Sequence, residues 1–294
     1  MKRCVITGAT GLIGRHVAER LRGSWELYGL NKKPAGSDLQ GLESIHCDLG
    51  DEWSTEQFPR SVDAVIHLAQ SEHFREFPGY SEHIFRVNTA STLRLLEYAR
   101  KAKAQTFILA SSGGIYGHGD EGFKEDRPIE AKGDLGFYLG TKLCAEVLAE
   151  NYASFMVIII LRFFFVYGPG QRPTMFIPRL LRAAQEGEPI LLSGENGLKC
   201  NPTFVTDAAS AVSRSLGLKA SHKINVGGPE VLSLRQIGQS IGEVLGRPPV
   251  FKVQKDSEPQ HLVGDIKKMV QLLGPPVGKF REGISRCIEG REHV

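Results

Sequence analysis

The sequence is short of the features that mark several protein classes. Cysteine is scarce: Cys4, Cys47, Cys144, Cys200 and Cys287 are widely scattered, odd in number and without the paired short spacing of a metal site. That argues against a disulfide framework or a bound metal and points to a reducing, cytoplasmic setting. An excess of one charge is also missing. The 36 basic residues face 33 acidic ones, and no Lys/Arg run is dense enough for a nucleic-acid or membrane footprint. Long hydrophobic runs are absent, since the most apolar stretch, "FMVIIILRFFFVYG", is interrupted by Arg162 and is too short to span a bilayer. The start "MKRCVITGATG" passes from two basic residues into Thr and Gly and does not read as a signal peptide. There is no internal repeat and no low-complexity tract. What remains is a chain of 294 residues, 41% hydrophobic, able to bury a substantial core and suited to a small-molecule partner.

Short apolar runs alternate with amphipathic ones: "CVIT", a helix from about Leu12 to Arg22, "WELYGL", "SIHC", "AVIHLA", a helix from about Ser81 to Lys103, "TFILA", a helix around Tyr138, and "VIIILRFFF". Strands that are apolar on both faces and separated by helices belong in a parallel sheet covered on each side. The expectation is an α/β, doubly wound dinucleotide-binding domain over residues 1–167. A smaller mixed lobe for substrate follows over 168–294, with some segments returning to the first domain. In that second half the chain loosens into Gly- and Pro-bearing segments, with helices near Thr206 to Leu218 and Ser233 to Leu245.

Directly after the first strand stands "TGATGLIG", with Gly8, Gly11 and Gly14 spaced three apart and Thr10, Leu12 and Ile13 between them. A tight turn, a pyrophosphate approaching bare backbone, and a helix packed close to a strand each demand glycine, and the helix N-terminus supplies N–H donors. Strand before and helix after is the context that identifies this motif as a dinucleotide site. At the end of the second strand, "GLNKKP" has no acid for the ribose hydroxyls. Asn31 can hydrogen-bond a ribose, and Lys32 and Lys33 lean the choice between NAD and NADP slightly to NADP through its 2′-phosphate, unless they are a solvated pair. Asp48, in "CDLGD", is placed to meet the adenine edge or to cap a helix.

In "FYLGTKLCAE", Leu139, Leu143, Ala145 and Leu148 recur with helical spacing, so Tyr138 and Lys142 share one helix face. "ILASSGGIYG" ends a buried strand with Ser111 and Ser112. The ordered series of Gly8, Gly11 and Gly14, "HLA" at His67 to Ala69, "SSGGIYG" at Ser111 to Gly117, Tyr138 and Lys142, and "LRFFFVYGPGQRP" at Leu161 to Pro173 resembles the extended short-chain dehydrogenases/reductases. These form the NAD(P)-dependent sugar epimerase/dehydratase family, and the likeness runs on through "INVGGPEVLSL" and "GDIKKMVQLLG".

The resemblance implies roles by position. Tyr138 is the acid/base, Lys142 lowers its pKa and holds the nicotinamide ribose, and Ser112 hydrogen-bonds the reacting oxygen. It places Leu49, Leu68, Ala69, Gln70, Phe165 and Val166 with the cofactor, and Gly113, Phe165, Arg172 and Lys199 with the substrate. It also implies a homodimer formed through the helices near 81–103 and 137–154. His67 reads as a satisfied core histidine, Asn88 as a residue that orders loops, and Arg162 as paired within the core.

Departures narrow the reaction. Gly113 and Gly114 stand where family dehydratases carry Asp-Glu, which argues against a 4,6-dehydratase, and the serine has no neighbouring cysteine for carbon acid/base work. Phe165 replaces the family's asparagine, and Lys199 is the nearest base where an arginine is expected. The leading expectation is a nucleotide-sugar 4-epimerase working by transient hydride transfer. An NADPH-dependent ketoreductase of a keto-sugar and a non-catalytic dinucleotide sensor or scaffold are its rivals.

Overall fold

The computed structural model describes residues 1–33, 36, 39–130 and 135–290. In chain order the elements are β1 (Lys2–Thr7), α1 (Leu12–Leu21), β2 (Trp25–Asn31), β3 (Leu42–His46), β4 (Ala64–His67) and α2 (Ser81–Phe85). A π-turn over Arg86–Ala90 joins α2 to α3 (Ser91–Lys101). Then come β5 (Thr106–Ser112), a 3-10 turn over Gly113–Tyr116, α4 (Phe137–Glu150), β6 (Val157–Phe163) and β7 (Val166–Tyr167). The chain continues with α5 (Phe176–Glu186), β8 (Ile190–Ser193), β9 (Lys199–Cys200), β10 (Thr203–Phe204), α6 (Val205–Ser215) and β11 (His222–Val226). It ends with β12 (Leu232–Ser233), α7 (Leu234–Leu245), β13 (Phe251–Gln254), α8 (Lys267–Leu273) and α9 (Phe280–Glu289).

Seven strands form one sheet in the order β11-β6-β5-β4-β1-β2-β3. Strand β1 runs parallel to both β2 and β4, and β2–β3 and β4–β5 are parallel too. The order reverses at β1, and in such doubly wound sheets ligands bind outside the carboxyl ends of the strands at that reversal. The glycine loop follows β1 there. Because β1, β4 and β5 are central, β4, nearly all of β5 and the Cys4–Thr7 part of β1 are buried on both faces, which is why they read as continuous apolar runs.

Two compact units partition the chain. The first comprises Met1–Ile115, Ile129–Arg162 and Ala209–Ile224. Its core gathers Val5, Leu30, Val65, Leu96, Phe107, Leu109, Ala145 and Ile160 from strands and helices together. Full burial of one of its Val, Leu, Ile or Phe side chains contributes about 1.5–3 kcal/mol. The second comprises Tyr116–Pro128, Phe163–Ala208 and Asn225–Val294. There β8 pairs in parallel with β13, and Ile190, Leu192 and Leu234 centre a smaller cluster. Helix α7 starts on a reciprocal cap, with the Ser233 side chain accepting from Gln236 N and Gln236 accepting from Ser233 N.

Two expectations need amendment. The helix expected from about Ser81 to Lys103 is present as one helical run from Ser81 to Lys101, widened within by the π-turn Arg86–Ala90. Asp48 caps no helix. Its Oδ1 accepts from Gly50 N at 2.9 Å and closes a turn, because the chain goes from β3 to β4 without an intervening helix.

Candidate active site

The cradle after β1 is built from backbone because side chains do not fit. A Cβ on Gly14 would lie 2.1 Å from Gly8 O, and one on Gly11 would lie 3.0 Å from the same oxygen. Gly8 turns the chain with φ +67°, and a Cβ there would press on Ala69 backbone at 3.1 Å. Gly11 is the N-cap of α1 and offers no side chain to the helix N-terminus. The amides at Leu12 and Ile13 thus open a helix whose positive dipole end has no protein side chain covering it at the cap, a fit to a pyrophosphate. Asn31, at the end of β2, accepts from Thr10 N at 3.2 Å and ties the loop to the neighbouring strand. Lys32 Nζ lies 2.9 Å from Asp48 Oδ2 and 3.6 Å from Glu72 Oε1; against burial, the Gly50 N–H and then the Lys32 ammonium bring the Asp48 pKa below its ordinary value. Of the two lysines behind the lean to NADP, Lys32 is therefore engaged by two carboxylates. Leu49 is buried beside Asp48, while Leu68 and Ala69 continue β4 past its end, with Ala69 N donating to Thr7 Oγ1 at 3.1 Å.

Helix α4 delivers the tyrosine and the lysine. Lys142 is 4% exposed, and its ammonium donates to Ala110 O on β5 at 3.0 Å, two residues before Ser112. Burial lowers its pKa from 10.5 to about 8, and the nearby Glu146 carboxylate opposes that fall. Ser112 Oγ accepts from Gly114 N at 3.1 Å at the start of the 3-10 turn. Gly114 is confined there, since a Cβ on it would meet Leu139 Cδ2 at 3.0 Å and Ser112 Oγ at 3.3 Å. The serine and the first turn of α4 are thus held against one small residue.

The Tyr138 hydroxyl donates to Gln70 Oε1 at 2.9 Å, and the Phe74 ring lies against its ring at 5.0 Å. The Arg75 guanidinium sits over Phe74 at 5.0 Å. Burial pushes the phenol above its ordinary pKa, and the Arg75 charge pulls it back. The family resemblance assigns Gln70 to the cofactor; in the structure it is the tyrosine's hydrogen-bond partner. Phe74 and Arg75 were not anticipated, because they lie in an irregular segment with no periodicity to mark them.

Behind these groups runs a buried polar chain. His67 meets Thr7 Oγ1 at 2.7 Å and Thr92 Oγ1 at 3.1 Å, and burial lowers its pKa to about 3, so the ring is neutral. Thr92 donates to Asn88 O. Asn88 sits in the π-turn, where the widened backbone turns its side chain inward. It accepts from Ser71 N at 3.0 Å and donates to Thr141 Oγ1 at 3.0 Å, and Thr141 donates to Tyr138 O at 2.7 Å. Strand β1, the loop carrying Gln70, and the first turn of α4 are thereby linked through paired polar groups, which in a dry interior fixes their relative position. Arg162 is paired with Glu146 in the core.

Of the remaining expected residues, Phe165, Val166, Arg172 and Lys199 belong to the second unit. Phe165 has φ +44°, a left-handed backbone unusual for an aromatic residue, and packs on Phe176 at 5.1 Å. Val166 begins β7. Arg172 is exposed, its carbonyl accepting from Met175 N at 3.0 Å. Lys199 is exposed on β9, its backbone N donating to His261 Nδ1 at 2.9 Å. Gly113 is buried in the 3-10 turn of the first unit.

Comparison with known proteins places this geometry. The model of the NAD dependent epimerase/dehydratase family matches residues 4–227. A UDP-N-acetyl-alpha-D-glucosaminuronate decarboxylase of Bacillus cytotoxicus is 30% identical, with 83% of this chain and 80% of the relative covered. An uncharacterised UDP-glucose epimerase of Bacillus subtilis, YtcB, is 28% identical over 97% of this chain and 96% of its own. Among solved structures, MoeE5 in complex with UDP-glucuronic acid and NAD superposes with a TM-score of 0.85 at 29% identity, covering 99% of both chains. The UDP-glucuronic acid 4-epimerase from Bacillus cereus, in complex with UDP-glucuronic acid and NAD, gives 0.86 at 25% identity over 99% of this chain and 100% of that one. Taken with the glycine cradle and the Ser112, Tyr138 and Lys142 arrangement, these matches show that the chain belongs to the NAD-dependent epimerase/dehydratase family and is an enzyme of the extended short-chain dehydrogenase/reductase type.

Proposed function

We propose that the protein is a nucleotide-sugar 4-epimerase that uses tightly held NAD. The observation carrying this reading is that Tyr138 and Lys142 on α4 bond to Gln70, just past β4, and to Ala110, two residues before Ser112 on β5, at the same end of the parallel sheet where β1 opens into the glycine cradle. Tyr138 Oη takes the proton of the sugar C4 hydroxyl and later returns it. Lys142 favours the phenolate through its positive charge, and Ser112 Oγ hydrogen-bonds the same substrate oxygen. NAD, which the cradle of Gly8, Gly11 and Gly14 would hold by its pyrophosphate, would supply reversible hydride acceptance at C4. Gly113 and Gly114, in place of an acidic pair, leave no carboxylate beside Ser112 to drive an elimination, which supports simple epimerisation.

NAD is preferred to NADP in this reading. Asp48 and Glu72 flank Lys32 and present negative charge where a 2′-phosphate would approach. Phe165, Arg172 and Lys199 are proposed substrate contacts of the second unit. A homodimer is proposed through α3 and α4, whose Leu93 and Val147 are 42% and 54% exposed, large apolar side chains left in water by the single chain. The scarcity and wide scatter of the cysteines along the sequence support a cytoplasmic setting. Among the described residues no helix is long and apolar enough to cross a membrane.

The test is Tyr138→Phe assayed against a panel of UDP-sugars with NAD. Turnover should fall at least about a hundredfold, the usual worth of a positioned acid/base. Unchanged turnover would remove Tyr138 from the mechanism. Light scattering that gives a monomer at micromolar concentration would remove the dimer.

A further inference from the structure

Helix α4 carries three ionisable side chains in register. Tyr138, Lys142 and Glu146 are four residues apart, so each lies about one turn beyond the last. Proton transfer requires the first two. Glu146 is nevertheless 1% exposed, and a carboxylate in such a place is costly unless paired. Its partner Arg162, on β6, is also 1% exposed and grips it with two donors, Nε to Oε1 at 3.1 Å and Nη2 to Oε2 at 2.7 Å. A well-packed apolar pair of similar volume is often as stable as a buried ion pair, so stability alone does not account for these charges.

Lys142 supplies the reason. Its ammonium is buried one turn from Glu146 and accepted by a neutral carbonyl, Ala110 O. On α4, Tyr138 and Glu146 lie one turn to either side of it; neutral His67 on β4 is near enough to feel its charge, and Arg162 on β6 acts through Glu146.

We propose that Glu146 and Arg162 are positioning residues for the proton-transfer set: the Glu146 carboxylate, one turn away, offsets the cost of burying the Lys142 ammonium, and the Arg162 guanidinium holds that carboxylate in place and limits how much of its charge Lys142 feels. This rests on Tyr138 and Lys142 being the proton-transfer pair. The two partners then have opposite effects. Loss of the Glu146 charge leaves Lys142 beside a second buried cation and makes it shed its proton more readily. Loss of the Arg162 charge leaves Glu146 with Lys142 as its counterion and makes Lys142 hold its proton more strongly.

The experiment is NMR titration of [13C]lysine-labelled, NAD-loaded protein, with the Lys142 signal identified by its loss in Lys142→Arg. It needs no substrate. Glu146→Gln should lower the Lys142 midpoint by about one pH unit, Arg162→Met should raise it by a similar amount, and Arg162→Lys should leave it unmoved. A purely structural role would not produce shifts of opposite sign. Where either single variant fails to fold, Glu146→Leu combined with Arg162→Leu removes both charges and should give a folded protein with a midpoint below that of the wild type. Shifts of the same sign, unmoved midpoints in folded variants, or a double variant that does not fold would overturn the inference. In parallel, the alkaline limb of kcat/KM for UDP-sugar epimerisation should follow the NMR midpoints. Midpoints that move as stated in a protein that epimerises no sugar would overturn the proposed function and leave the electrostatic coupling standing.

Discussion

Lys142→Met should stabilise the fold at neutral pH while abolishing activity. The ammonium is almost wholly buried, and its pKa drops from 10.5 to about 8 chiefly through loss of water. A depressed lysine pKa means that the charged form burdens the folded state. That burden is complete below about pH 8, fades as pH rises towards 10.5, and vanishes above it. At roughly 1.4 kcal/mol per pH unit, the gap corresponds to about 3 kcal/mol. Methionine keeps most of the stem's packing but leaves Ala110 O without its donor, which costs about 1–2 kcal/mol. The net gain at pH 7 is then about 1–2 kcal/mol, or a rise in Tm of a few degrees for a chain of this size. Urea unfolding of wild type and variant at pH 7 and pH 10 measures it. The variant's advantage should shrink by about 2–3 kcal/mol between the two pH values. An advantage or deficit that is the same at both would refute the claim that a buried ammonium burdens the fold.

Other predictions follow from single contacts. Arg75→Ala removes the positive charge that draws the Tyr138 phenol down, so the acidic limb of the kcat/KM profile should move to higher pH; an unmoved limb would show that Arg75 does not reach the phenol electrostatically. Gly14→Ala places a Cβ 2.1 Å from Gly8 O and should eliminate co-purified dinucleotide as well as lower Tm; spectra at 260 nm that still show bound cofactor would count against the cradle. His67 is neutral with a pKa lowered to about 3, so wild type should lose about 2 kcal/mol between pH 7 and pH 5 that His67→Gln does not lose; parallel stability curves for the two would contradict the buried neutral ring.

The parts of the site visible in the sequence are those that chemistry confines to a local pattern. Gly8, Gly11 and Gly14 are legible because no other residue allows backbone to pack this closely. Tyr138 and Lys142 are legible because one helix turn sets their spacing. Glu146 follows the same spacing, but only the buried Arg162 gives it meaning, and that partner comes from another element. The π-turn at Arg86–Ala90 left no trace, because one widened turn does not break the apolar periodicity across 81–103. Lys32 looked like a phosphate ligand until Glu72, forty positions on, proved to lie within 3.6 Å. Helix α5 was not anticipated, and Pro178 explains why. Proline usually ends a helix, but Pro178 occupies the first turn, where its missing N–H has no intrahelical partner to lose.

The most direct test of the account is the fate of the hydrogen on sugar C4. A UDP-sugar deuterated at C4, incubated in ordinary water with the purified protein, should be converted to its C4 epimer with the deuterium retained at C4 and no net change in absorbance at 340 nm. Tyr138→Phe should suppress that exchange. Loss of the label to solvent, or stoichiometric consumption of added NADPH by a keto-sugar without any epimer exchange, would contradict it.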